Sequence, residues 1–387
     1  MRNIQMVDLQ SQYHRIKPEI DAAIAEVLES TKFIKGPQVE SFANNLAKYT
    51  GAKYVIPCAN GTDALQIAMM ALKLKPGDEV ITATFTYAAT AEVIALLGLT
   101  PVLVEVNPDT FCIDAASVEA AITPKTKAIV PVHLFGQCAD MERLMAIAQK
   151  QNLYVIEDVA QAIGAVYTFS DGTQKQAGTI GHIGTTSFFP SKNLGCYGDG
   201  GAMFTNDEAL AQDIKMVANH GQRVQYYHEV IGVNSRLDTI QAAILDVKLK
   251  YLDEYCAARQ NVAAFYDKAL AGHPNFKTPV REAKSTHVFH QYNLQICGLE
   301  RDELRKYLAD KGIPSMIYYP LPLHFQKAFG AENYHVGQFP ISEMLCKCVL
   351  ALPISTEMDS EQLEYIVQEL NSFANKESKE SQQTPTN

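Results

Sequence analysis

The chain has 387 residues, with 33 Lys and Arg against 43 Asp and Glu and a formal net charge of −10. Its 47% hydrophobic and 20% charged residues describe a globular chain with a sizeable core, which excludes a mostly disordered or fibrous one. The acidic balance, without helix-turn-helix or zinc-finger spacing, argues against a nucleic-acid scaffold.

The first residues, Met1 to Gln5, lack the apolar core of a signal peptide, and no run approaches the ~18–20 apolar residues of a membrane helix. A cytoplasmic protein without membrane contact is expected. From about residue 50, short β-rich runs alternate with helical stripes. Tyr54–Ile56 precedes a helix through Leu65, Ile67, Met70 and Leu72. Glu79–Thr82 precedes an Ala-rich helix toward Leu97, and Val102–Val104 a helix around Ala115–Ile122. Ala128–Val130 precedes a helix near Met141–Gln149, and Tyr154–Ile156 follows. Such alternation predicts βα units on a mainly parallel sheet, whose ligands sit beyond the carboxyl ends of the strands.

After residue 205 the pattern changes. Asn206 is placed to cap a helix with Leu210, Ile214 and Val217 on one face, and one long helix is predicted from about Asp238 through Leu252. His287–Ile296 reads as a strand. Leu304, Tyr307 and Leu308 form a helix stopped by Gly312 and Pro314, and the last helix opens with the capping-box pair Asp359 and Gln362. The expected division is a large domain over 1–250, a smaller α+β domain over 251–374 and a disordered tail over 375–387. The eight cysteines are scattered, the nearest pair being Cys346 and Cys348, so reduced thiols and no metal site are expected.

Four places carry candidate chemistry, three of them where strands should end. Asn60-Gly61-Thr62-Asp63 joins a strand to a helix, and Gly61 and Thr62 there suit a phosphate, although an ordinary turn has the same look. Asp158 ends an apolar strand, and a buried carboxylate needs a positive partner such as a protonated pyridine nitrogen; Gln161 could face the same pocket. In Ser187-Phe188-Phe189-Pro190-Ser191-Lys192-Asn193, followed by four glycines, an apolar run delivers one lysine into a tight loop. Desolvated there, Lys192 could form a Schiff base, with Ser187 adding a phosphate hydrogen bond. In Gly232-Val233-Asn234-Ser235-Arg236-Leu237-Asp238, Asn234 can donate to a phosphate and Arg236 can grip a phosphate or carboxylate. A cradle, an acid and a lysine are the three contacts that pyridoxal 5′-phosphate needs.

The order N-G-T-D-A-L, E-D-V-A-Q, S-F-F-P-S-K-N-L-G-C-Y-G-D-G-G-A and G-V-N-S-R-L-D resembles the sugar-nucleotide aminotransferases of the DegT/DnrJ/EryC1/StrS family, from Val7 to Pro353. The resemblance implies fold type I of pyridoxal-phosphate enzymes: a mainly parallel seven-stranded sheet with helices on both faces and a smaller C-terminal α+β domain. It also implies residue roles. Lys192 would carry the cofactor, Asp158 would face its ring nitrogen and Gln161 its 3-hydroxyl. Gly61, Thr62 and Ser187 would hold the phosphate, and Tyr87 would stack on the ring. Asn234 would reach the phosphate of a neighbouring subunit, making a homodimer with shared sites. Phe33 and Lys35 match a substrate-side loop. Tyr318 and Tyr319 match a segment usually reading H-Y-P, with Tyr318 where the histidine stands.

The implied reaction is a ping-pong transfer of an amino group from glutamate to a keto-sugar nucleotide. Motif wording is similar to that of enzymes acting at C3 of UDP-2-acetamido-2-deoxy-3-keto-glucuronate in surface-polysaccharide or lipopolysaccharide amino-sugar synthesis, with Arg236 toward the carboxylate. The rivals are amination at C4 of a 4-keto-6-deoxy sugar nucleotide and a non-catalytic regulator with the same fold.

Overall fold

The computed structural model describes residues 2–383, with side chains through residue 377. Two helices precede the sheet, α1 (Leu9–Ser30) and α2 (Pro37–Thr50). Asp8 caps α1 by accepting from the Ser11 N–H, and Ile16, Ile20 and Val27 form its buried stripe. Helix α2 opens on Pro37 and stops at Gly51, which takes the left-handed conformation with φ 76°.

The βα alternation follows as predicted: β1 (Tyr54–Cys58), α3 (Gly61–Ala71), β2 (Glu79–Ala83), α4 (Ala89–Leu96), β3 (Thr100–Val104), α5 (Ala115–Ala121), β4 (Thr126–Val130), α6 (Met141–Gln151) and β5 (Tyr154–Asp158). A hairpin of β6 (Val166–Thr168) and β7 (Gln174–Gln176) leads to β8 (Ile183–Ser187) and β9 (Gly201–Thr205). The main sheet has seven strands in the order β1-β9-β8-β5-β4-β2-β3. Strand β9 runs antiparallel to both β8 and β1, and the other pairings are parallel. Strand alternation feeds two cores. Ile81, Ile129 and Val155 pack on one face with Phe42 of α2 and Leu144 of α6. Val80, Ala128, Val130 and Ile156 pack on the other with α3, α4 and α7 (Glu208–Ala218).

Beyond α7, the hairpin β10 (Gln222–Val224) with β11 (Tyr227–His228) precedes α8 (Thr239–Leu249) and α9 (Leu252–Ala269). Helix α9 joins two cores, with Leu252 and Cys256 in the first and Val262 and Tyr266 in a third. That third core also gathers the antiparallel strands β12 (Phe276–Lys277), β13 (Tyr292–Ile296) and β14 (Val349–Leu352), with α10 (Arg301–Asp310), α12 (Ser360–Gln383) and Ile4. Helix α11 (Pro340–Cys348) leads into β14. No helix among the described residues is long and apolar enough to cross a membrane.

Four expectations change. Asp207, not Asn206, caps α7; the Asn206 side chain accepts from the Lys53 N–H instead. The long helix from Asp238 divides, because Lys250 and Tyr251 close tighter bonds to Val247 and Lys248. The strand begins at Tyr292 rather than His287. The Val288 N–H bonds to the Gly136 carbonyl and Phe289 has φ 46°, so this stretch lies against a loop. Helix α12 runs through Gln383, into the segment expected to be disordered from residue 375; residues 384–387 lie outside the described residues.

Successive residues of β5 point to opposite faces, so Glu157 and Asp158 diverge. Glu157 is fully buried, and its carboxylate accepts from the N–H groups of Gly178, Ile180 and Gly181 at 2.9, 2.7 and 2.6 Å and meets His133 Nε2 at 2.9 Å. Burial alone would raise its pKa, but His133 and these donors hold it below the usual carboxylate range. Replacement by Ala leaves three buried donors unpaired, so Glu157→Ala should cost at least about 3 kcal/mol in urea unfolding. A loss below about 1 kcal/mol would show that the network is not holding the end of β5.

Candidate active site

Because β1, β2, β4, β5 and β8 run the same way, their carboxyl ends share one edge. Asp158, the last residue of β5, is 7% exposed there. Its Oδ2 accepts from Thr90 Oγ1 at 3.0 Å, and its Oδ1 from the Ala160 N–H at 3.1 Å. These bonds orient the carboxylate without neutralising it, and among the described residues it has no ion-pair partner. Burial pushes its pKa up, against the pull of Ala160, Thr90 and the more distant Lys192 charge.

Lys192 follows β8 in a strap that the backbone closes on itself. The Lys192 N–H bonds to the Phe189 carbonyl at 2.9 Å and the Cys196 N–H to the Phe188 carbonyl at 2.8 Å. Gly195 must be glycine, because a Cβ there would stand 2.3 Å from the Pro190 oxygen. Asn193 anchors the strap by donating to the Val288 carbonyl at 2.9 Å. Lys192 itself is half-buried. Burial lowers its amine to about 8, although Asp158 opposes the shift.

The phosphate candidates meet where β1, β8 and α3 converge. Gly61 and Thr62 are the first residues of α3, whose N-cap Asn60 accepts from the Asp63 N–H at 2.8 Å. A Cβ on Gly61 would stand 2.6 Å from the Ser187 Cβ, so glycine is what lets the helix start and the end of β8 approach this closely. The Ser187 hydroxyl accepts from the Phe189 N–H at 3.2 Å and keeps its own proton free to donate.

Gln161 is buried beside Asp158. Its Oε1 accepts from the Phe135 N–H at 2.7 Å, and its Nε2 donates to the Tyr319 hydroxyl at 3.1 Å. The Tyr319 ring lies 6.3 Å from that of Tyr87, which is 62% exposed at the rim. Tyr318 is half-buried and lines a cavity with Ser191 and His290. Phe33 and Lys35 are exposed in a loop pinned to the start of α8, where the Thr239 N–H bonds to the Phe33 carbonyl. Lys35 shares a cavity with Arg236, and its Nζ donates to Asn219 Oδ1 at 3.3 Å. Asn234 is exposed, in a groove with Asn60, Gly198 and Arg236.

The structure therefore links Gln161 to Tyr319 by a hydrogen bond and Tyr319 to Tyr87 by a ring contact, places Asp158 near enough for its charge to act on the Tyr319 hydroxyl, and brings Gly61 against Ser187. Phe33, Lys35, Asn234 and Arg236 belong to a second group near the start of α8. The sequence reading missed Thr90, the direct partner of Asp158. Its signal was a lone hydroxyl on the buried face of α4, between Ala89 and Ala91. No cluster of metal-ligating side chains occurs among the described residues.

A seven-stranded sheet of this order, with helices on both faces and its candidate chemistry at the carboxyl edge, defines a pyridoxal-phosphate enzyme of fold type I. Residues 14–371 match the DegT/DnrJ/EryC1/StrS aminotransferase family, and the chain belongs to it. It is a sugar aminotransferase that depends on pyridoxal phosphate. The chain is 47% identical to a UDP-2-acetamido-2-deoxy-3-oxo-D-glucuronate aminotransferase of Pseudomonas aeruginosa, over 94% of this chain and 98% of that protein. It is 48% identical to a pleiotropic regulatory protein of Geobacillus stearothermophilus, over 96% and 98%. Among solved structures it is similar to S. venezuelae DesV in complex with a ketimine intermediate, with a TM-score of 0.92, 39% identity and coverage of 97% of this chain and 99% of that one.

The residues present fit the cofactor. Asp158 is a buried carboxyl group with no ion-pair partner among the described residues, the start of α3 closes tightly on Ser187 at Gly61, and burial shifts the Lys192 amine toward its neutral form. In the apoprotein, Lys192 should react with an amine-selective acylating reagent with a midpoint near pH 8, read by peptide mass spectrometry. A midpoint at the ordinary lysine value, about 10.4, would contradict the burial argument.

Proposed function

We propose that this enzyme moves an amino group from glutamate to C3 of UDP-2-acetamido-2-deoxy-3-keto-glucuronate. The observation that carries the transamination is the half-buried Lys192 amine in the field of a buried carboxylate that has no cation of its own. Pyridoxal phosphate supplies an aldehyde for a lysine and a protonated ring that draws electrons from a substrate carbon. Lys192 Nζ would hold the aldehyde and, once displaced by the donor's amino group, would be free as an amine to take and return the proton of the reacting carbon. Asp158 would keep the proton on the ring nitrogen, and Thr90 and the Ala160 N–H orient its carboxyl group. Gln161, itself held by the Phe135 N–H, would face the 3-hydroxyl. Tyr87 would cover the ring, Gly61, Thr62 and Ser187 would hold the phosphate, and Tyr318 and Tyr319 would border the sugar.

The hexuronate reading is supported by Arg236, a guanidinium lining a cavity with Lys35, and by the similarity to the Pseudomonas aeruginosa enzyme. If Arg236 meets the sugar carboxylate, Arg236→Gln should raise KM for the hexuronate about 10–100-fold, and leave KM for a 4-keto-6-deoxy sugar nucleotide within about threefold. Release of 2-oxoglutarate from glutamate is the assay. Turnover with the 4-keto sugar alone would replace this substrate by the C4 alternative. The similarity to a pleiotropic regulatory protein leaves a regulatory role as a second reading, additional to catalysis.

Asn234 is exposed, and the nearby hairpin presents Val224, Tyr226, Tyr227 and Ile231 to solvent, between 63 and 86% exposed. Such a patch suits a second copy of the chain, placing Asn234 against the partner's phosphate. If sites are shared in this way, mixing inactive Lys192→Ala and Asn234→Ala proteins through a dissociation step restores up to about a quarter of wild-type activity, because half the dimers are hybrids with one intact site. No recovery in verified hybrids would contradict shared sites.

A further inference from the structure

A second lysine lies under the strap, and the reaction does not use it. Lys248, on α8, is 1% exposed. Its Nζ donates to the Gly195 carbonyl at 2.6 Å and lies 5.2 Å from the centroid of the Tyr197 ring. Among the described residues no carboxylate pairs with it. Seven residues earlier, Gln241 accepts from the Tyr197 N–H at 2.8 Å and donates to the Tyr197 carbonyl at 3.2 Å. Seven residues are nearly two helical turns, so both side chains leave one face of α8. That helix is braced from another side, where Asp246 accepts from Ser41 and Asn45 of α2 at 2.8 and 2.7 Å.

The two grips fall three and five residues beyond Lys192. Between Lys192 and Gly195 the chain has little freedom. Asn193 is tied to Val288, Leu194 is fully buried, and Gly195 is pressed against the Pro190 carbonyl. An ammonium buried against one carbonyl and one ring face is costly, and a hydrophobic residue would fill the site more cheaply if filling were all it did. We propose that Lys248 and Gln241 are positioning residues, which clamp the strap from α8 and so set the direction in which the Lys192 amine enters the pocket. The inference rests on the reading that Lys192 carries the cofactor.

The test uses holoenzyme carrying Lys248→Met, Lys248→Gln or Gln241→Leu. Borohydride fixation with peptide mapping first locates the cofactor. In wild type and variants the adduct should lie on Lys192; an adduct elsewhere in wild type overturns the underlying reading and the clamp with it. With the adduct on Lys192, Lys248→Met and Gln241→Leu should move the pH midpoint of the visible cofactor band by about one unit and lower kcat about 10–100-fold, with KM for glutamate changed less than about threefold. Lys248→Gln keeps an N–H donor for the Gly195 carbonyl, so its shift and its kcat loss should be smaller than those of Lys248→Met. Unchanged midpoint and kcat in Lys248→Met and Gln241→Leu overturn the clamp and leave the first reading intact. Failure of both to fold also overturns it, since the pair would then serve stability rather than the pose of Lys192.

Discussion

The proposed site turns on a buried carboxyl group, Asp158, with no ion-pair partner among the described residues. Asp158 receives two hydrogen bonds and almost no solvent, and burial pushes its pKa upward. Left alone, such a carboxylate becomes a neutral acid as pH falls through its raised pKa, and the field it exerts on Lys192 disappears. A protonated ring nitrogen would keep it ionised. Cofactor and carboxylate would then stabilise each other's charged forms, which is the condition the proposed chemistry requires.

The fold makes that arrangement possible by separating supporting and functional groups across one strand. Glu157 and Asp158 are neighbours in β5 with opposite surroundings. One carboxylate meets three backbone donors and His133, and stays below its usual range; the other meets two donors, and rises. Lys192 has a comparable contrast with Lys248. Burial lowers both amines to about 8, but Lys248 donates to a carbonyl while the half-buried Lys192 amine has no such acceptor among the described residues. Position in the hydrogen-bond network, rather than residue type, separates the proposed working groups from those proposed to support them.

Much of the architecture was legible in the sequence, because strand and helix periods alternate clearly from Tyr54 to Asp158 and strand ends locate the chemistry. Boundaries set by tertiary contacts were not. The break between α8 and α9 has no glycine or proline, and the stretch from His287 to Gln291 has strand-like composition but pairs with the loop at Gly136. Among the proposed site residues, Asp158 and Lys192 stood out in the sequence because a charged residue closes or follows an apolar run. Thr90, Lys248 and Gln241 did not, since a hydroxyl in an Ala-rich helix and a lysine in an amphipathic one are ordinary by composition. Their contacts with Asp158 and with the strap exist only once α4 and α8 are folded against β5 and the strap.

The most direct test of the central claim is the protonation state of the cofactor's ring nitrogen, read by nitrogen-15 NMR on holoenzyme rebuilt with labelled pyridoxal phosphate. In the wild type this nitrogen should stay protonated from about pH 6 to 9, and it should lose its proton within that range in Asp158→Ala. A nitrogen that is unprotonated in the wild type, or unchanged by the substitution, would contradict the account.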